Sequence, residues 1–177
     1  MSNAGPSKRS PLCGGCACGA QRYAVTASPL IVHACHCRDC QRITGSAFVI
    51  NLWIESEHVT LTQGGLLSAR LSAGSGKAHE VFFCPGCGTY LWSRYQRVPA
   101  DCLFVRAGTL DRPDAVTPDV HIFTRSKLPW VELPAGARAF TTGYRIDAVW
   151  PAASRERLRR SRAARGSAAP AAPAAGR

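Results

Sequence analysis

Cys84-Pro85-Gly86-Cys87-Gly88 is the stretch whose reading decides the fold. Pro85 and Gly86 suit a tight turn that brings two sulfurs together, and Gly88 can take a left-handed conformation behind the second. Working outward, the complementary pair is Cys16-Ala17-Cys18 far upstream. In an extended strand, residues i and i+2 point to the same face, so these two sulfurs also lie side by side. Four thiolates close a tetrahedral metal site. Joining the two pairs closes a loop of roughly 70 residues, and a metal that clips so long a loop contributes strongly to folding.

A second set follows the first pair: Cys35-His36-Cys37-Arg38-Asp39-Cys40. Cys35 and Cys37 share a face, His36 points the other way, and Cys40 follows at the spacing of a turn that folds a third sulfur back. Structural zincs are closed by four protein ligands, whereas catalytic zincs keep one position for water or substrate. One filled cluster and one open cluster read as a zinc enzyme with two metals per chain. Zinc is preferred because the donors are soft thiolates and nothing calls for redox chemistry. Two cysteines are left over. Cys102, in Asp-Cys-Leu-Phe-Val, reads as a buried strand residue, and Cys13 as a loop thiol that could compete for the first metal. Cys13 or His33, as a fourth ligand, would turn the open site into a closed one.

The length suits one domain with a usable core, and a hydrophobic fraction of 46% with 19% charged residues excludes a disordered chain. No apolar run approaches the roughly 20 residues that span a bilayer. Met1 to Pro11 carries Lys8 and Arg9 but no apolar core, so it is read as a flexible leader rather than a secretory signal. Paired cysteines in an unsecreted chain favour metal over disulfides and place the protein in a reducing cytoplasm. The net charge of +11 looks like a nucleic-acid signal until it is located. Seven Arg and one Glu lie in 151–177, and Lys8 and Arg9 add two charges, so residues 10–150 carry only +3. That body lacks the clustered basic face of a nucleic-acid domain. Residues 151–177 are expected to be a disordered basic tail rich in Ala, Arg and Pro, with room for a short helix over 154–164.

The body, 12–150, reads as mainly β. Gln21–Thr26, Leu30–Ala34, Ala47–Ile54, His58–Thr62, Leu66–Ser72, Ala78–Phe83, Thr89–Tyr95, Cys102–Ala107 and Val120–Thr124 are short runs rich in β-branched and aromatic residues. Gly, Pro, Asp or Ser separates most of them. One short helix is expected over Arg38–Thr44, directly after the second cluster, stopping at Gly45.

The assembled pieces resemble the glutathione-dependent formaldehyde-activating family, which includes the centromere protein V domain. They are Gly14-Gly15-Cys16-Ala17-Cys18-Gly19 with Tyr23, then Cys35 through Cys40 continued by Gln41-Arg42-Ile43-Thr44-Gly45-Ser46-Ala47-Phe48. Next come Phe83-Cys84-Pro85-Gly86-Cys87-Gly88-Thr89-Tyr90-Leu91, Ala107-Gly108-Thr109-Leu110-Asp111, and His121-Ile122-Phe123 with Ser126-Lys127-Leu128-Pro129-Trp130. The resemblance implies a β-tent fold, distorted sheets stapled by zinc. It implies a structural zinc at Cys16, Cys18, Cys84 and Cys87 and a catalytic zinc at Cys35, Cys37 and Cys40. The activity it implies is addition of glutathione to formaldehyde, giving S-hydroxymethylglutathione, the work of a carbon–sulfur lyase. The alternative is a noncatalytic zinc-stabilised binding module attached to partners by its basic tail.

A glutathione-like substrate needs counter-charges. Arg38, Arg42, Arg94, Arg125 and Lys127 are candidates because they sit in or near the matched segments, and Arg suits bidentate carboxylate recognition. The competing reading makes them solvated surface cations. His121 and His36 could orient the metal ligands or transfer protons. Ser46 and Thr44 could donate to sulfur. Trp53, Trp92 and Trp130 are expected in the core or the pocket wall.

Overall fold

The β-branched and aromatic runs become ten short strands in the computed structural model, which describes residues 11–96 and 101–166. β1 (Leu12–Gly15), β2 (Arg22–Val25) and β5 (Val59–Gln63) form an antiparallel sheet in the order β1-β2-β5. The larger sheet holds β3 (Ile31–Cys35), β4 (Val49–Glu55), β6 (Leu67–Ser72), β7 (Ala78–Phe83), β8 (Tyr90–Tyr95), β9 (Cys102–Arg106) and β10 (Val120–Ile122). Its order is β10-β3-β4-β9-β8-β7-β6. Neighbours are antiparallel except β10, which runs parallel to β3 and sets Ile122 opposite Cys35.

The central strands are apolar nearly throughout because both of their faces are covered. Val32, Leu52, Ile54, Leu103 and Val105 face Tyr23, Val25, Leu91 and Trp92 in one core cluster. Ile31, Cys35, Val49, Trp53 and Cys102 point to the opposite face, where Val149, Trp150 and Leu158 cover them. Trp53 and Trp92 are therefore buried as expected, but Trp130 is 72% exposed and belongs to no core. Cys102 is buried in β9 as expected. Cys13 is not a loop thiol: it lies in β1 opposite Ala24 and is exposed.

α1 spans Arg38–Thr44, as the sequence predicted, and stops at Gly45, whose φ of 63° is left-handed. Cys37 caps its first turn and Asp39 follows, favourable at a helix start, with Arg42 in the last turn. α2 is a single turn, Ile146–Val149.

The expectation of a disordered tail from residue 151 is corrected over α3, Ala152–Gly166. Composition alone showed too few large apolar residues to hold it. Two residues hold it nonetheless. Leu158 is 5% exposed against the Trp53–Trp150 face of the core. Arg157 forms a two-bond ion pair with the buried Glu55, at 2.9 Å to each oxygen. The leader, apart from Pro11, and residues 167–177 lie outside the described residues.

Candidate metal centres

Two groups of cysteines bring their sulfurs within 4.8 Å of one another: Cys16, Cys18, Cys84 and Cys87, and Cys35, Cys37 and Cys40.

The first group joins the two sheets. Cys16 and Cys18 sit in the turn after β1, and Cys84 and Cys87 in the turn between β7 and β8. The second turn closes as its residues dictate: Gly88 N–H donates to Cys84 O at 2.9 Å, with Gly88 at φ 70°. Thr89 binds the two halves together, its hydroxyl accepting from Ala17 N–H at 3.1 Å and lying 3.1 Å from Cys87 Sγ. Cys16 Sγ accepts from Gln21 N–H at 3.2 Å. The Thr89 hydroxyl and N–H hold the Cys87 thiol down to about 5. Cys18 is pushed up to about 12, because contacts with Cys16 and Cys87 outweigh the lowering pull of the Ala20 N–H. A zinc with Zn–S bonds of about 2.3 Å needs tetrahedral sulfur–sulfur edges of about 3.8 Å. The Cys16–Cys18 and Cys18–Cys84 separations of 3.4 and 3.8 Å fit that demand.

The second group is local. Cys35 ends β3, Cys37 caps α1 and accepts from Cys40 N–H at 3.4 Å, and Cys40 lies in the first turn. Contacts with Cys35 and Cys40 hold Cys37 well below the usual thiol range. Contacts with Cys37 and Cys40, with burial, push Cys35 far up. Cys40 is pushed up to about 12: contact with Cys35 lowers it, but contact with Cys37 and burial prevail, while Arg106 pulls downward. Three thiolates crowded this closely need a cation to ionise together, and a metal fits the donor set.

No fourth His, Cys, Asp or Glu among the described residues joins this group. His33, one of the two candidates, has Nε2 engaged by the Tyr144 hydroxyl. Cys13, the other, lies in β1 of the smaller sheet. His36 turns away from the sulfurs, as the strand alternation predicted, and its Nε2 lies 3.1 Å from His121 Nδ1 with the rings stacked. Burial and the neighbouring His121 push His36 down to about 4, and burial also lowers His121. The backbone at His36 is clamped from two sides, since Gln41 Nε2 and Ser126 Oγ both donate to His36 O, at 2.8 and 3.0 Å. Ser126 therefore acts on the cluster through the backbone, a role the sequence did not signal.

A cavity of about 540 Å³ lies next to the second group through Val49, which pairs with Cys35, although no cysteine lines it. Thr44, Ser46 and Phe48 line it just beyond Cys40, and Gly88 and Thr89 line it just beyond Cys87. Of the cations expected to bind substrate, none is on this wall. Arg38, Arg42, Arg94 and Arg125 are exposed. Arg38 donates to Gln41 Oε1, and Arg94 lies over the Phe82 ring at 5.4 Å. Lys127 Nζ donates to Leu128 O at 3.2 Å and to Val131 O. The cation that does line the cavity is Arg106. A lone Arg ending the apolar run Cys-Leu-Phe-Val in a strand expected to be buried was the available signal for it.

Two sheets stapled by a closed thiolate cluster, with an open cluster beside a cavity, define a small β protein suited to two metals. The family model described as glutathione-dependent formaldehyde-activating enzyme matches residues 11–126, and the chain belongs to that family. Among curated proteins, no match was found. Among solved structures, the chain is similar to a Rhodobacter sphaeroides protein at 21% identity and a TM-score of 0.46, covering 60% of this chain and 92% of that one.

Proposed function

We propose that this chain is a zinc-dependent carbon–sulfur lyase that acts on the thiol adduct of a small aldehyde, combining glutathione and formaldehyde into S-hydroxymethylglutathione and reversing that step. The observation that carries the reading is the Cys35–Cys37–Cys40 group, three sulfurs without a fourth protein ligand among the described residues and beside a cavity. In this reading Cys16, Cys18, Cys84 and Cys87 hold a structural zinc, and Cys35, Cys37 and Cys40 hold the catalytic one. When bound there, zinc supplies a Lewis acid that favours the thiolate form of a substrate thiol.

The chain's own residues supply the rest. In the forward direction a carbon–sulfur bond forms, the carbonyl pair moves to oxygen, and the proton leaving the thiol ends on that oxygen. Ser46, on the cavity wall, offers a hydroxyl to the reacting sulfur or oxygen. Phe48 and Ile50 make part of the same wall apolar. His36 and His121, neutral at pH 7 by the direction of their shifts, hold the backbone between Cys35 and Cys37 in place rather than adding charge. Thr44 Oγ1 donates to Cys40 O at 2.7 Å and is committed to α1. The reading carries a reducing, cytoplasmic setting with it. None of the described helices is long and apolar enough to cross a membrane.

The test is an NMR exchange experiment on formaldehyde and glutathione, with and without zinc-loaded protein. The adduct forms spontaneously, so the observable is acceleration above background. Acceleration that disappears in Cys40→Ser supports the open cluster as the catalytic centre. No acceleration by fully loaded wild-type protein would discard the formaldehyde reaction and leave the noncatalytic binding module.

A further inference from the structure

Arg106 is a guanidinium held inside the protein with no carboxylate partner among the described residues. It ends β9 opposite Asn51, is 5% exposed, and lines the cavity. One of its amino groups donates to Asn51 Oδ1. Its Cζ lies 3.9 Å from the centroid of the Tyr90 ring, and the Tyr90 hydroxyl is anchored from behind, 3.3 Å from His79 Nε2. Its Nε has no hydrogen-bond partner, and none of the ion pairs among the described residues includes it. An amide dipole and a ring face orient a guanidinium without neutralising it, and buried charges are paired as a rule. The platform is thus built and rigid, and short of an anion.

Its place on the sheet says which anion. Cys35 pairs with Val49, and Asn51 pairs with Arg106, so the four residues share one face of the sheet. The cavity wall carries both Arg106 and Val49, the strand partner of Cys35, so a ligand on Arg106 lies next to the sulfur cluster.

We infer that Arg106 is the carboxylate subsite of the cavity: the thiol substrate lays one carboxylate on the guanidinium, over Tyr90, while its sulfur faces Cys35, Cys37 and Cys40. This rests on the thiol reading above and adds to it a requirement for an acidic thiol. The planar fork of Arg matches a carboxylate in two parallel bonds, which an uncharged ester does not offer. A charge-assisted contact to a buried guanidinium changes affinity by about tenfold or more.

Isothermal titration calorimetry on the zinc-loaded protein decides it with three probes: glutathione, its diethyl ester and S-methylglutathione. Wild-type protein is expected to bind the diester at least about tenfold more weakly than glutathione. Arg106→Gln should weaken glutathione by the same factor and leave the diester unchanged, and Arg106→Lys should fall between. Equal binding of acid and diester by wild-type protein overturns the inference without any variant, so a folding defect cannot mask the answer. No binding of glutathione at all overturns it too. Loss of zinc from Arg106→Gln, with no discrimination against the ester, also overturns it and makes Arg106 the counter-charge of the sulfur cluster. S-methylglutathione tests the thiol reading separately: affinity equal to that of glutathione refutes capture of the free thiol while leaving the carboxylate subsite in place.

Discussion

Arg157→Met removes a charge from α3 and leaves its apolar stem. Glu55, the partner, has a fully buried side chain, whereas that of Arg157 is 27% exposed. Both Glu55 oxygens depend on this one residue, through Nε and Nη2, and Nη2 also donates to Ser28 O at 2.7 Å. Removing one partner of a buried pair costs about 3–5 kcal/mol, because the other charge is left in a medium that does not solvate it. The partial exposure of Arg157 argues for the lower end, about 3 kcal/mol. For a domain of this size each kcal/mol moves the melting temperature by about 2–4 °C, so the variant should melt roughly 10 °C lower. Circular dichroism melts of the zinc-loaded protein measure it. The double variant Glu55→Gln/Arg157→Met should recover most of the loss, since it removes the stranded charge. A shift below about 2 °C in Arg157→Met would refute the docking of α3 and return residues 152–166 to a solvated tail.

Replacing Cys84 by Ser should remove the clip between the two sheets. By the chain-entropy estimate for a loop of roughly 70 residues this costs about 4 kcal/mol, and it should appear as a large fall in melting temperature with loss of one zinc by elemental analysis. Cys40→Ser should instead keep its β spectrum and one zinc, and an unchanged melt for Cys84→Ser would discard the clip. Burial pushes His33 down to about 4, so the folded protein keeps it neutral while the unfolded chain takes up a proton below about 6.5. The unfolded state therefore binds more protons between those values, and stability is lost as the pH is lowered through the window, by about 2 kcal/mol between pH 7 and pH 5. Urea unfolding of wild type and His33→Gln at both values isolates this contribution, and an equal acid loss in the two proteins would contradict it.

The sequence revealed the parts of the fold that depend on local spacing. Strand positions and the helix Arg38–Thr44 followed from β-branched runs, a cap and a terminal glycine, and each has a cause within a few residues. Both cysteine groups were legible from their short spacings, although Cys16 and Cys18 come together in a turn after β1 and not on one face of an extended strand as expected. What was hidden depends on distant partners. β1 is too short and glycine-rich to announce itself, and is a strand because Leu12 to Gly15 pair with Val25 to Arg22. α3 was hidden because its stability lies in Glu55, a hundred residues earlier in the chain. The substrate cations were sought beside the motifs, where Arg38 and Arg125 turn out to be exposed. Arg106 faces the cavity only because β9 lies next to β4, a non-local pairing.

The two cysteine groups differ in how much chain must exist before they can form. Cys35, Cys37 and Cys40 lie within six residues, on the end of one strand and the first turn of one helix. A ribosome that has extruded little more than that segment has already released a complete three-sulfur claw. The other group waits for Cys87, and so for β3 to β7 to be made. During synthesis the claw is the first set of sulfurs to be complete, and the staple's set is complete only afterwards. The order in which the two sulfur sets are completed is thus written into the chain's direction of growth, with the three-sulfur set whole before the body around it has been made.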